Sequence, residues 1–151
     1  MKSPRYFDFK ELVHTDTWLP NAPTWKQVNN LRLLGSFLDS VREEYGHPIK
    51  VNSGFRSAEV NAKVGGAKNS AHLEGLAADI VPSYITQGEL GNLLGILERA
   101  VGQTVLVGNA QVAIDQLIVY CKTPKDLSSG IRFFHVGVAI DGNPRRQVLW
   151  K

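Results

Sequence analysis

The sequence SAHLEGLAADIV at residues 70–81 decides how this chain folds. Its second half is a short apolar run typical of a buried strand, yet it contains a carboxylate at Asp79. A buried carboxylate is costly unless it is paired or bound to a cation. His72 lies in the polar loop that precedes the strand and offers an imidazole. We therefore expect a polar cluster on a strand that otherwise belongs to the core.

A second imidazole lies much later, in the apolar run FFHVGV at residues 133–138. Strand alternation places Phe134 and the two valines on one face, and Phe133, His135 and Gly137 on the other. The first face suits a core, and the second leaves His135 on an open surface. A single bound cation would explain all three polar groups. Two imidazoles and one carboxylate are the ligand set of a catalytic zinc, whose fourth position is left to water or substrate.

Periodicity and capping residues predict the other elements. Apolar residues at steps of three and four predict a long helix from Trp25 to Tyr45, which Gly46 and Pro48 end. The remaining predicted elements are helices over 57–64 and 86–101 and strands over 49–55, 76–81, 104–107, 114–120, 131–139 and 147–150. Helices come first and strands later, which predicts an α+β fold. We expect a single domain over residues 1–151, with an antiparallel sheet, helices packed on one side, and the metal site on the open sheet face.

Composition limits the classes of function. With one cysteine, Cys121, the chain has no internal disulfide framework and no cysteine-rich metal site. The formal charge of +3 is mildly basic. Because no Lys/Arg run is interleaved with aromatic residues, we expect no nucleic-acid partner, and a basic nucleic-acid-binding domain is the unrelated alternative. No run of 18 apolar residues occurs, so we expect no membrane span. The first ten residues lack the apolar core of a signal peptide.

Arg56 is the next candidate site residue. It stands in SGFRS at residues 53–57, after a predicted strand and before a predicted helix. A guanidinium there could hold a substrate carboxylate in a bidentate pair. An arginine in a surface turn is the alternative interpretation. The other two histidines, His14 and His47, are interpreted as surface or structural residues.

At this point the residues resemble the D-Ala-D-Ala carboxypeptidase-like zinc peptidases. This group includes the vancomycin-resistance D,D-peptidases, phage L-alanyl-D-glutamate endolysins and the Hedgehog signalling-domain fold. The short, phage- and Bacteroidetes-associated branch is the most similar. The resemblance rests on SGFRS at 53–57, Asn61, GGAKNSAH at 65–72, Gly75, AAD at 77–79, DQLI at 115–118 and FHV at 134–136, and it extends to 6–12 and 143–149.

The resemblance implies Zn²⁺ held by His72, Asp79 and His135, and a zinc-activated water that hydrolyses a peptide bond in bacterial peptidoglycan. The partners would be stem or cross-bridge peptides. Arg56 and Ser53 would bind the substrate, with Arg56 either polarising the scissile carbonyl or holding a terminal carboxylate. Both a D,D-carboxypeptidase or endopeptidase and an endolysin-like enzyme fit. Without a signal peptide, we expect synthesis in the cytoplasm and action on the cell wall after phage- or lysis-type release, or as a virion component.

One departure from the family concerns the carboxylate that moves the proton. Relatives place it three residues before the last histidine, where this chain has Arg132, or late in the DQLI strand, where it has Tyr120. We predict Asp115 as the general base, although alternation points it away from Tyr120 unless a bulge intervenes. A structural role for Asp115, and the carboxylates Glu74 and Asp126, are the alternatives. A non-catalytic zinc-binding relative that recognises the cell wall or another partner is the alternative function.

Overall fold

The computed structural model describes residues 3–151. The helices are α1 (Phe9–Val13), α2 (Trp25–Tyr45), α3 (Ala58–Lys63) and α4 (Gln87–Val101), with a 3₁₀ turn at Ala71–Glu74. The strands are β1 (Ile49–Ser53), β2 (Ala77–Pro82), β3 (Thr104–Val107), β4 (Ala110–Thr123), β5 (Asp126–Ile140) and β6 (Gln147–Trp150). In residues 3–151, no helix combines the length and apolar character needed to cross a bilayer. The helices and strands given above confirm the predicted α+β class.

The long helix α2 has the predicted bounds, and its ends explain why. Thr24 and Gln27 form a reciprocal capping box at its start. Gly46 ends it with φ of 83°, a left-handed conformation that glycine adopts at little cost. Leu34, Phe37 and several other apolar side chains of α2 are fully buried, each stabilising the fold by about 1.5–3 kcal/mol.

The strands form one sheet in the order β1-β2-β5-β4-β3, in which all neighbours are antiparallel. Its core face carries Phe134, Val136 and Val138, as alternation predicted, and α2 and α4 pack against that face. The opposite face carries Asp79 and His135. The sheet thus separates an apolar core from a polar face.

The last strand departs from the predicted antiparallel sheet, because β6 pairs with β4 in parallel. The reason lies in the route of the chain. The end of β5 lies beside the start of β4, where Ile140 pairs with Val112. A short connection from that point must bring β6 alongside β4 in the same direction, on the edge that β3 leaves free. This corrects the predicted topology at one pairing.

Two adjacent arginines, Arg145 and Arg146, hold the connection that precedes β6. The guanidinium of Arg146 donates to the carbonyls of Val101 and Gln103 at 2.6 and 3.1 Å, at the end of α4. Arg145 binds Asp115 on β4. Both arginines are therefore used to fasten the chain between β5 and β6.

Candidate metal centre

Three polar side chains from distant segments meet on the polar face of the sheet. Asp79 of β2 pairs directly with His135 of β5, so their side chains lie side by side. His72 reaches them from the 3₁₀ turn. Oδ1 of Asp79 lies 3.1 Å from Nε2 of His72 and 3.1 Å from Nδ1 of His135. The structure thus brings together all three residues that the sequence singled out as metal ligands.

The turn that carries His72 is fixed from both sides. Ser70 caps its start by accepting a hydrogen bond from the backbone N–H of His72, and Gly75 closes it with φ of 72°. Two side chains of α2 donate to its carbonyls, Gln27 to Leu73 and Asn30 to Glu74. The imidazole is therefore positioned by the core helix rather than by a free loop.

The hydrogen bonds of His72 indicate a positive charge between the three side chains. Its Nδ1 lies 2.7 Å from the carbonyl of Gly54, which can only accept, so Nδ1 donates. The 3.1 Å contact between Nε2 and a carboxylate oxygen of Asp79 therefore needs a positive charge at Nε2, which either a proton on the ring or a bound metal ion supplies. This is the arrangement in which a carbonyl fixes the tautomer of a metal-bound histidine.

The spacing of the donor atoms fits a small tetrahedral ion. The candidate ligand atoms of His72, Asp79 and His135 lie within 4.8 Å of one another. Two donors bound at ~2.0–2.1 Å to a tetrahedral zinc would be about 3.3 Å apart, close to the 3.1 Å separations seen here. Two imidazoles and one carboxylate also match the ligand chemistry of zinc. The residues present therefore fit the metal.

Asp79 is held by an arginine as well as by the histidines. Arg56 donates to its second oxygen, Oδ2, at 3.1 Å. Asp79 is 8% exposed. Burial raises its pKa, but the hydrogen bonds and charges of His135 and His72 outweigh burial and hold the pKa well below its usual range. Asp79 is thus a carboxylate kept ionised, as a metal ligand must be.

Arg56 lies at the site, but in a different contact from the predicted one. Its Nε donates to Oγ of Ser53 at 3.0 Å, and one terminal nitrogen donates to Oδ1 of Asn61 at 3.3 Å. The other terminal nitrogen donates to Asp79. Arg56 therefore lies next to the metal cluster, and Ser53 lies next to Arg56. In this structure they orient the carboxylate, and their role toward substrate stays a prediction.

Asp115 lies outside the cluster. It is the extra residue of a bulge in β4, where Ile114 pairs with Val138 and Gln116 with Gly137. Its carboxylate accepts from the backbone N–H of Arg145 at 2.8 Å and forms a fork with that guanidinium at 2.8–3.2 Å.

The bulge explains why simple alternation along β4 does not hold. Ile114 belongs to the core face, whereas Gln116 lines the metal cavity. The hydrogen bonds from Arg145 lower the pKa of Asp115, which makes its carboxylate a weaker proton acceptor. Its geometry is that of the structural alternative, and its role as general base stays a prediction.

The other titratable candidates also lie away from the cluster. Glu74 is exposed, and Asp126 accepts hydrogen bonds from Ser128 in the β4–β5 hairpin. His14 contacts Asp16 at 2.8 Å on the surface, and the ring of His47 packs edge-on against Tyr45. None of these four lines the cavity around the metal cluster.

That cavity has a volume of about 460 Å³ and is open to solvent beside His72, Asp79 and His135. Its lining includes a stacked pair, Tyr120 and Phe133, with ring centroids 4.5 Å apart. Among residues 3–151, Asp79 is the only carboxylate residue that lines it. A larger recess of about 920 Å³ lies between α2 and the β3–β4 hairpin, but its described lining has no histidine or cysteine. The side chains that line a cavity, and not its volume, therefore identify the candidate metal site.

Sequence reasoning missed two groups that orient the site. Gly54 acts through its backbone carbonyl, and no side-chain pattern could have signalled this. An added Cβ at Gly54 would lie 2.2 Å from the carbonyl oxygen of Leu12, so only glycine fits there. Asn61 is 5% exposed and holds both Arg56 and the carbonyl of Ala67. In the sequence, Asn61 was one of the residues that carry the family resemblance, but no role was predicted for it, because its burial beside Arg56 depends on the fold.

Comparison with known proteins agrees with this geometry. The sequence profile described as Peptidase M15 matches residues 6–114. A zinc D-Ala-D-Ala carboxypeptidase of Streptomyces albus G is 52% identical over 44 residues, which cover 28% of this chain. The match spans 17% of the length of that relative.

Proposed function

The chain belongs to the peptidase M15 family, and from this premise we propose that it hydrolyses a peptide bond in bacterial peptidoglycan with the help of zinc. The observation that carries the proposal is the shared contact of His72 and His135 with one oxygen of Asp79. The similarity to a zinc D-Ala-D-Ala carboxypeptidase supports both the metal and the class of substrate. We also propose that residues 1–151 act as one peptidase domain.

The bound zinc would supply a Lewis acid and an acidified water. The chain's own residues would prepare the site for it. The carbonyl of Gly54 fixes the ring of His72, and Arg56 fixes Asp79 through its second oxygen. We propose that the Tyr120–Phe133 stack forms the wall against which the peptide lies. Burial raises the pKa of Tyr120, so its phenol stays protonated and able to donate a hydrogen bond to a substrate carbonyl.

The experiment is digestion of purified peptidoglycan by the zinc-loaded protein. We expect new amino groups to appear, and mass spectrometry of the products to name the bond: free D-alanine for a carboxypeptidase, split cross-bridges for an endopeptidase. His72→Ala should abolish the release. His14→Ala removes a surface imidazole outside the cavity and is the matched control. Intact muropeptides after long incubation with the wild-type protein would contradict the proposal.

A non-catalytic zinc-binding relative is the second candidate, and one observation favours it. Asp79 is the only carboxylate residue among 3–151 that lines the cavity, and it is already used by the cluster. A peptidase needs a further base to take the proton from water and pass it to the leaving amine. This candidate predicts that zinc-loaded protein sediments with peptidoglycan but releases no amino groups.

A further inference from the structure

Arg132 is aimed into the metal cavity by a second bulge. Tyr120 pairs with Phe133 and Cys121 pairs with Ile131, so Arg132 is an extra residue of β5. The bulge returns Ile131 to the core while Phe133 stays on the cavity side. Arg132 therefore lines the same cavity as the metal cluster, although it is largely exposed.

The guanidinium of Arg132 is positioned by an aromatic ring and not by an acid. Its central carbon lies 5.4 Å from the ring centroid of Phe133, which itself stacks on Tyr120. Within the described part of the chain, no carboxylate or other acceptor binds Arg132. The two other arginines of the cavity are both paired, Arg56 with Asp79 and Arg145 with Asp115.

The charge of Arg132 is effective inside the cavity. Burial and the nearby Asp79 raise the pKa of Tyr120, whereas Arg56 and Arg132 oppose that rise. Three arginines, Arg56, Arg132 and Arg145, line a cavity that has one acidic side chain from the described chain, that of Asp79. Asp115 neutralises one of them from outside. A bound zinc would add two positive charges, so the cavity favours a substrate with more than one negative charge.

We propose that Arg132 binds a second carboxylate of the substrate. The site would then prefer a peptide that carries a side-chain carboxylate within two residues of the scissile bond over the same peptide with a neutral carboxamide. A planar guanidinium with both terminal nitrogens free suits a bidentate carboxylate, and the ring behind it restricts its orientation. This rests on the proposed function, because the second carboxylate is defined relative to the bond that is cut.

The test compares two peptides that differ at one group, acetyl-L-glutamyl-D-alanyl-D-alanine and acetyl-L-glutaminyl-D-alanyl-D-alanine. Binding to the zinc-loaded and the chelated protein is measured by calorimetry, and cleavage by mass spectrometry. We expect about fivefold tighter binding of the carboxylate peptide, the strong end of the range for an exposed ion pair. The preference should weaken in high salt.

Variants assign the preference to the residue. Arg132→Gln should bind both peptides equally, and Arg132→Lys should keep part of the preference because it keeps the charge but loses the fork. Arg99→Gln is the matched control, since Arg99 is an exposed arginine on α4 paired with Glu44. Circular dichroism checks that each variant is folded. A preference that survives Arg132→Gln, or equal binding by the wild-type protein, would overturn the inference.

The two proposals fail in different ways. A carboxylate preference that depends on Arg132, without cleavage of either peptide or of peptidoglycan, supports the inference and contradicts the proposed activity. Cleavage of both peptides at equal efficiency supports the activity and contradicts the inference. Absence of both binding and cleavage contradicts both.

Discussion

Asp79 and Asp115 are two carboxylates on interior strands of one sheet. Asp79 belongs to the metal cluster, whereas Asp115 belongs to an ion pair with Arg145. Asp79 follows the alternation of β2 and is shared by two histidines and Arg56. Asp115 is the bulged residue of β4 and is held by a single arginine. The pKa of each is lowered, but by imidazoles against burial at Asp79 and by a guanidinium at Asp115.

The comparison shows that a lowered carboxyl pKa does not by itself make a residue part of the metal site. Both carboxylates are held ionised, yet only Asp79 faces a cavity with two imidazoles. Asp115 fastens the connection before β6, a role that the fold alone explains. A depressed carboxylate pKa therefore identifies a metal ligand only together with the donors around it.

The largest expected effect is a loss of zinc affinity when Asp79 is replaced by asparagine, compared with the same substitution at Asp115. Asp79→Asn should lower zinc affinity by more than the roughly 10–100-fold that follows loss of an outer partner, because a charged ligand is replaced by a neutral amide. Asp115→Asn should keep one zinc per chain. Metal content after dialysis, measured by atomic spectroscopy, checks both.

Activity assays on the same pair sharpen the comparison. If Asp115→Asn retains zinc and fold but loses turnover, the prediction of Asp115 as general base is supported. Zinc loss in Asp115→Asn, or zinc retention in Asp79→Asn, would contradict the division of roles described above.

The second effect is the stabilisation of the fold by zinc. Free zinc at one hundred times its dissociation constant should add about 2.7 kcal/mol to the free energy of unfolding. At about 2–4 °C per kcal/mol, Tm should rise by roughly 5–11 °C, and a chelator should reverse the rise. Asp115→Asn should show the same shift in scanning calorimetry and Asp79→Asn should show none. Magnesium, which prefers oxygen ligands, is the control ion.

The third effect tests the backbone carbonyl that orients His72, one of the two imidazoles that contact Asp79. In Gly54→Ala, the new Cβ would meet the carbonyl oxygen of Leu12 at 2.2 Å, so the backbone must shift. We expect a loss of about 1–3 kcal/mol in the free energy of unfolding, typical of overpacking. Because the carbonyl of Gly54 orients His72, zinc affinity should also fall by roughly 10–100-fold.

Gly91→Ala on α4 is the matched control for this substitution. An added Cβ there meets no atom within 4 Å, so alanine should be neutral or stabilising in a helix. Urea unfolding and zinc titration of both variants check the prediction. Unchanged zinc affinity in a destabilised Gly54→Ala would show that the carbonyl does not control the histidine.

The smallest effect is the pH dependence of the Asp115 pair, measured on metal-free protein. A carboxylate whose folded-state pKa is lowered contributes stability above its unfolded pKa of about 3.9 and loses it as pH falls through the folded pKa. Asp115→Asn should therefore be less stable than the wild-type protein at neutral pH, and the difference should vanish in acid. It should also shrink in high salt.

Urea unfolding at a series of pH values measures this difference. Glu98→Gln is the control, because in the described chain no ion pair or hydrogen bond involves the side chain of Glu98. A difference for Asp115→Asn that stays constant down to pH 2 would show that its loss is not electrostatic.

The sequence predicted those features that depend on local periodicity or on the cost of burying charge. The bounds of α2 followed from its apolar spacing and end residues. The two faces of β5 followed from alternation between Phe134 and Val138. The proximity of His72, Asp79 and His135 followed from the need of each buried polar group for a partner.

Features that depend on pairing between distant strands could not be predicted. The bulges at Asp115 and Arg132 exist only relative to the partner strand, so alternation along one strand cannot reveal them. The parallel pairing of β6 depends on where β5 ends beside β4. The contact of Arg56 with Asp79 likewise joins residues 23 positions apart.

The direct pairing of Asp79 with His135 has a consequence for how the chain is tied together. These two residues are 56 positions apart, and an ion bound to both would close the intervening segment, which contains α4, β3, β4 and the first part of β5. Closing a long segment removes conformational freedom from the unfolded chain, in the manner of a cross-link. With a single cysteine, the protein has no disulfide of its own to do this. The bound metal would act as a removable cross-link between the two halves of the sheet, formed or broken according to the supply of zinc.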